Sequence, residues 1–475
     1  MSNSDSPSPQ VPPDDSPPSF SAFLPKRSAG LKLLLVCALA VVMIIPALLV
    51  YGVVNERSQG LELAVSEVSE SVGGAQTVLG PVLAVPYLRR PDPEKPETVV
   101  HGIAIAYAET GYANADVTVS ERQRGIHTIP VFESTLQFDA EFDPAALRTA
   151  IPADAEAVWV DARVYVGVSD TRGIKDVIQV TAEGAGGPRI DIPMEPANRV
   201  TNGDGYEPVP YASSRLAGGV IPGLETLENR FRVTVDLRLS GAQRLAIGPF
   251  AKTTEVDMAS NWSAPSFGGG VLPDTHTAGQ NETGFTANWK VPYLARGIPG
   301  AGARLDLSDV TRWNNRDMAV RFIKEVSPYQ SVERALKYAA MFIGFVFLAY
   351  FLFEVTSGAR AHPAQYVLVG LAQTIFYLLL LAFSEWVGFD VAFAIAATMT
   401  VGLTAFYAMT VFQSLTYGLR ALAIMTGIYT LIYVLMRAED HALLAGALAS
   451  FAAIALTMFM TRNVDWYGEG KPAPA

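Results

Sequence analysis

Leu33–Val54 is a run of 22 residues without a charged side chain, long enough as a helix to cross a bilayer core of about 30 Å. Five more apolar blocks close the sequence: Leu336–Val355, Tyr366–Phe383, Val387–Phe412, Leu419–Met436 and Leu443–Met460. Hydrocarbon offers no hydrogen bonds to a backbone, so each block is expected to satisfy its own polar groups as a helix. Six crossings follow. Lys26, Arg27 and Lys32 precede the first run, which ends in Tyr51-Gly52-Val53-Val54-Asn55-Glu56. It exceeds the roughly 7–15 apolar residues of a cleaved signal peptide and is not followed by an A-x-A-like site, so an uncleaved signal anchor is expected. Pro46 inside it should kink the helix or loosen one turn.

Between these regions the period changes. A short helical stretch, Leu61–Ser71, gives way to alternation of period two around Val99, Ile103, Ile105 and Tyr107, then over Val158–Val168 and Phe231–Leu239. In the last, Phe231, Val233, Val235, Leu237 and Leu239 alternate with Arg232, Thr234, Asp236 and Arg238, the pattern of a half-buried antiparallel strand. Breaks such as Gly184-Ala185-Gly186-Gly187-Pro188 and Gly297-Ile298-Pro299-Gly300 punctuate the region. The fold class is thus an α+β membrane protein: one N-terminal transmembrane helix, a large β-rich domain outside the cytoplasm, and a C-terminal bundle of five transmembrane helices. The expected divisions are a disordered Ser/Pro/Asp-rich cytoplasmic tail over 1–25, the first span in 26–54, the β-rich domain over 55–331, the bundle over 332–462, and a cytoplasmic tail over 463–475. Lys26, Arg27, Arg360, Arg420, Arg462 and Lys471 fall on one side of these crossings, against Arg437, Glu385, Asp390, Glu439 and Asp440 in the short loops of the other. The positive-inside rule then puts both termini in the cytoplasm and the β-rich domain outside, in the periplasm of a Gram-negative cell.

Charge limits the function. The chain carries a net charge of −11, of which −10 lies within 55–331, where 25 basic residues meet 35 acidic ones. No basic face is available to neutralise phosphates, so nucleic acid is not an expected partner. The one cysteine, Cys37, lies in the first apolar run behind Leu34-Leu35-Val36, which lacks the small residues of a lipobox; it reads as an apolar thiol. The five histidines, His101, His127, His276, His362 and His441, stand at no metal-ligand spacing, and neither a Walker A loop, a G-x-S-x-G elbow nor an H-E-x-x-H helix occurs. Neither metal nor cofactor is expected. Within the apolar blocks, Glu354 reads as an interfacial carboxylate at the cytoplasmic end of its helix, reaching water. Gln373, mid-helix beside Thr374, reads as an interhelical hydrogen bond or, alternatively, a substrate contact. Ala394, Ala396, Ala397, Gly446, Ala449 and Ala453 suit close helix packing, with a homo-oligomeric contact as the sharper reading. Ahead of the second span, Glu333 and Lys337 stand at i, i+4 and should pair, making the segment a stiff junction or a coupling element.

Three segments carry a family likeness: Gly73-Gly74-Ala75-Gln76-Thr77 with Gly80-Pro81-Val82-Leu83-Ala84-Val85-Pro86-Tyr87; Asn261-Trp262-Ser263-Ala264-Pro265-Ser266-Phe267-Gly268-Gly269 with Leu272-Pro273; and Tyr329-Gln330 through Phe351-Leu352-Phe353-Glu354-Val355, continuing into His362-Pro363-Ala364-Gln365-Tyr366. Through these, from about residue 27 to 460, the chain resembles the CreD family of bacterial inner-membrane, cell envelope integrity proteins. The resemblance implies an inner-membrane protein under envelope-stress or nutrient-linked control, tied to envelope maintenance, with no established enzymatic activity and no catalytic residues. Gly73-Gly74 and Gly268-Gly269 also suit turns of positive φ, and Trp262 and Phe267 suit loop anchors on a sheet. The leading expectation is a non-enzymatic envelope protein whose outer domain contacts a periplasmic protein, lipid or glycan. A transporter or channel built on the C-terminal helices and a membrane-bound envelope-modifying enzyme are the alternatives.

Overall fold

The computed structural model describes residues 29–90, 99–125, 127–184, 187–197, 215–278, 283–297, 299–303, 316–322, 328–357, 361–437, 442–464 and 466. The expected tail over 1–25, Lys26, Arg27, Arg360, Glu439, Asp440, His441 and Lys471 lie outside them, as do 185, 186 and 298 in the glycine-rich breaks. The chain divides into two compact units, Met1–Ser58 with Val326–Ala475, and Gln59–Glu325. The second unit is therefore a sequence insertion within the first.

The first unit is helical because its sequence is apolar over spanning lengths. Among the described residues six helical stretches are long and apolar enough to cross a membrane. Helix α1, Ala29–Val42, is separated at Met43 from α2, Ile44–Val72. Pro46 explains the interruption: it lacks the N–H that would bond the Val42 carbonyl, and its ring crowds that group. Helix α3, Pro328–Lys337, leads into α4, Ala339–Ser357, followed by α5, Pro363–Val387, α6, Phe389–Val411, α7, Leu415–Arg437, and α8, Ala442–Thr461. Between α5 and α6 stands Gly388 alone, at φ 78°. Glu385 and Asp390, expected in an outer loop, are accordingly inside the helices that this glycine joins.

In the second unit the alternating segments become long strands. Strand β1 is Gln76–Arg89, β2 Val100–Arg124 and β3 His127–Phe142. The two halves of β2 have different partners: Gly102–Tyr107 pair antiparallel with β1, and Thr110–Arg124 pair with β3. Phe231–Ala242, β4, lies against β3 with Val235 opposite Phe138. Ala251–Ser260, β5, runs parallel to β2; Thr275–Ala278, β6, and Phe285–Val291, β7, extend that side of the sheet. The expected strand Val158–Val168 is shorter. Trp159–Asp161 form a 3₁₀ turn closed by Asp161 N to Val158 O at 3.1 Å, and only Arg163–Val168 are extended.

Phe250 is fully buried between the two strands that organise this unit. A Cβ at Gly80 or at Gly111 would fall 2.6 and 2.5 Å from its ring. Phe138 meets it edge-on at 5.3 Å. Glycines at these strand positions admit an aromatic ring where any side chain would collide. We expect Phe250→Ala to lower the stability of the β-rich unit by about 3–5 kcal/mol, checked by chemical denaturation of the intact chain with tryptophan fluorescence as the readout.

Candidate functional site

On the solvated face of the sheet formed by β2, β5, β7 and β6, register stacks polar side chains into rows. One row is Asn114, Asp257, Asn288 and Thr275; the next is Asp116, Ala259, Thr286 and Thr277. The intervening residues Val256, Met258, Ala287 and Trp289 point into the core and are buried. Strict alternation leaves only polar groups and alanine for the outer face. These rows line two adjoining depressions of about 320 and 560 Å³, within the size range of small-ligand sites.

Asp257 organises the first row. One carboxylate oxygen accepts from Tyr112 Oη at 2.6 Å and the other from Asn288 Nδ2, also at 2.6 Å. Thr277 and Thr286 hydroxyls bond each other at 2.7 Å. The Tyr112 phenol is pushed up to about 12, first by its bond to Asp257 and then by partial burial. Beneath the groove His276 lies against Phe267, ring centroids 4.9 Å apart, and Phe267 in turn meets Phe285 and Trp289 edge-on. Phe267 therefore holds a groove-lining residue in place from the core side. No local spacing in the sequence marks the groove, because its residues come from four strands.

Gln76 is fully buried and saturated. Its Nε2 donates to Gly73 O at 2.7 Å and Asp170 O at 3.0 Å, and its Oε1 accepts from Ser169 Oγ at 3.0 Å. Gly73 and Gly74 take φ of 97° and 64°, as does Gly269 at 90°, but Gly268 does not. Gly268 is instead an ordinary strand residue opposite Ala319, so the positive-φ turn belongs to its neighbour alone. Pro81 and Pro86 are buried in β1, and the pairing of β1 with Arg163–Val168 shifts register between Leu79 and Val82. At that irregularity a missing N–H is tolerated. Trp262 packs against the core and donates to Ala264 O at 3.0 Å.

In the helical unit Glu354 departs from the interfacial position expected of it. It is buried, forms an ion pair with Lys32 of α1, and accepts from Ala361 N at 3.1 Å and Tyr366 Oη at 3.0 Å. The reason is tertiary: α1 packs on α4 and α5 and brings an ammonium to the carboxylate. The adjoining His362 caps α5, its Nδ1 accepting from Ala364 N at 3.2 Å while Gln365 bonds back to His362 N, with Pro363 at the first helical position. Gln373 accepts from Tyr429 Oη of α7 at 2.8 Å. On α3, Glu333 and Lys337 are 3.4 Å apart, Glu333 half-buried and Lys337 exposed, Gln330 is exposed, and Tyr329 donates to Glu385 at 3.1 Å. Burial and the Glu385 carboxylate push the Tyr329 phenol up to about 12. Among the described residues no His/Cys/Asp/Glu group is arranged to hold a metal ion.

Fold and sites together define a multi-pass α+β membrane protein with a β-rich domain inserted between its first helix and five others. The family model described as inner membrane protein CreD matches residues 28–467. The inner membrane protein CreD of Escherichia coli (strain K12) is 30% identical over 440 residues, 90% of this chain and 92% of that one. The chain belongs to the CreD family of inner membrane proteins. A crystal structure of a candidate protease from Parabacteroides distasonis ATCC 8503 covers 67% of this chain and 59% of that one at 9% identity, with a TM-score of 0.22; at that score it supports no statement of fold or activity.

Two expectations follow from these contacts. Lys32→Met should destabilise the bundle by on the order of 3 kcal/mol, because it leaves a buried carboxylate without its counter-charge. Adding Glu354→Gln should restore part of the loss, since a neutral amide still accepts from Tyr366 and Ala361; denaturant titration in detergent compares the two. In the groove, the raised Tyr112 phenol contributes stability that is present below its unfolded value near 10 and lost as pH rises through about 12. The stability gap between the native chain and Tyr112→Phe should therefore narrow over that interval, read by thermal melts.

Proposed function

We propose that this inner-membrane protein is a non-enzymatic envelope component whose β-rich domain lies on the periplasmic side and contacts an envelope ligand, with the helices as its anchor. The reading is supported by the charge asymmetry of the short loops, which favours cytoplasmic termini. It is also supported by the placement of the β-rich unit as an insertion between membrane helices.

The observation that carries it is the groove over β2, β5, β7 and β6, with Asp257 pre-set by two hydrogen bonds. Of protein, lipid and glycan, a glycan suits this surface best. Amide, carboxylate and hydroxyl groups at strand spacing offer paired donors and acceptors to vicinal hydroxyls. The exposed ring of Tyr112 adds an apolar face beside them. Acyl chains find no comparable apolar surface in these rows. Binding without covalent change asks only for complementary hydrogen bonding, and the groove provides that.

In the test, the full-length protein in nanodiscs is exposed to soluble envelope glycan fragments bearing a photo-crosslinker. Capture at residues of β5 and β7, reduced about tenfold or more by Asp257→Ala, is expected, a loss of roughly 1.4 kcal/mol or more. Capture indifferent to Asp257, or none above a denatured control, would overturn the proposal.

A further inference from the structure

The bundle contains a second polar site that the envelope reading does not use. Gln373 and Tyr377 stand one turn apart on the same face of α5, at i and i+4. Their side chains are almost wholly removed from the surface, and both residues lie in the mid-portion of the helix. Among the described residues, two of their polar atoms, Nε2 of Gln373 and Oη of Tyr377, have no hydrogen-bond partner. Tyr429 of α7 bonds the other end of the Gln373 amide at 2.8 Å. In hydrocarbon surroundings an unmet amide and an unmet phenol at one place are costly, because neither finds the water it had before folding.

We propose that this node holds a buried water, or another neutral oxygen-bearing molecule of that size, between Gln373, Tyr377 and Tyr429. The hydrogen-bond inventory selects the chemistry. Unused capacity at the node comprises two amide N–H groups, the Tyr377 O–H and phenol lone pairs. Oxygen lone pairs in the guest meet the amide, and an O–H in the guest meets the phenol; a water supplies both. The residues that form the node carry no fixed charge, so a bare ion would lose its hydration without a counter-charge. A water with three or so polar partners is the usual occupant of such a place.

The surroundings extend the polar character. Thr400 of α6 lies beside the Tyr429 hydroxyl, and Thr404, one turn on, offers its carbonyl to Tyr350 Oη at 2.7 Å. Tyr366, two turns before Gln373 on α5, donates to Glu354.

The test is radiolytic hydroxyl-radical labelling of the full-length protein in nanodiscs, which oxidises buried side chains that touch an ordered water. Tyr350, equally buried but with its hydroxyl bonded to Thr404 O, is the internal control. Labelling of Tyr377 and Tyr429 several-fold above Tyr350 is expected; labelling no greater than that of Tyr350 would overturn the proposal. Tyr377→Phe supplies a second reading of opposite sign for the two cases. With a guest present the substitution removes a bond and lowers both the melting temperature and the labelling of Tyr429. If the phenol is an unmet group in a dry core, the substitution raises the melting temperature, and the proposal fails. Should Tyr377→Phe not assemble, or melt unchanged, labelling of the native chain decides.

Discussion

The carboxylate of Glu354 is the contact on which the helical unit depends. Taking it out of water is tolerable only because three donors converge on it: the Lys32 ammonium, the Ala361 N–H and the Tyr366 hydroxyl. Lys32 and Glu354 are separated by 322 positions in the chain, so the pair ties the first helix into a bundle made otherwise from the last third of the sequence. In sequence the β-rich unit is an insertion, continuous with the helical unit at both of its ends.

The β-rich unit solves a different problem. The second half of β2, with β3, β4, β5 and β7, buries one face against a core centred on Phe250, Phe138 and Trp289 and leaves the other to water. That division turns every second residue of β2, β5 and β7 outward. The same alternation that stabilises the sheet therefore assembles the groove: Asp257 can bridge Tyr112 and Asn288 only because strand register sets them side by side. The glycines near Phe250 and the saturated amide of Gln76 serve this packing, and neither borders the groove.

The helical unit contains two kinds of buried polar group. Around Glu354 every partner is present, and the arrangement is a lock. Around Gln373 the inventory is incomplete among the described residues, which separates a structural hydrogen bond from a place for a guest. Gly370 allows the close approach of Met43 and Phe347 one turn earlier on the same helix, so dense packing and an incompletely paired polar node are neighbours on one face of α5.

Length and apolarity of six segments, and the period-two patterning between them, determined by themselves that this chain is a multi-pass membrane protein with a β-rich insertion. Those features are local, since a bilayer crossing needs only a sufficient run of apolar residues and a half-buried strand needs only alternation. The segments Gly73–Tyr87, Asn261–Gly269 and Tyr329–Tyr366 likewise carried the family in their order. Tertiary structure alone decided that Glu354 is buried, that the groove gathers Asn114, Asp257, Asn288 and Thr275, and that Gly269 and not Gly268 takes the left-handed turn. The physical reason is that burial, ion pairing and strand register depend on groups distant in the chain. Whether a carboxylate near a helix end meets water or an ammonium is settled by which helix packs against it, and no spacing within the sequence records that.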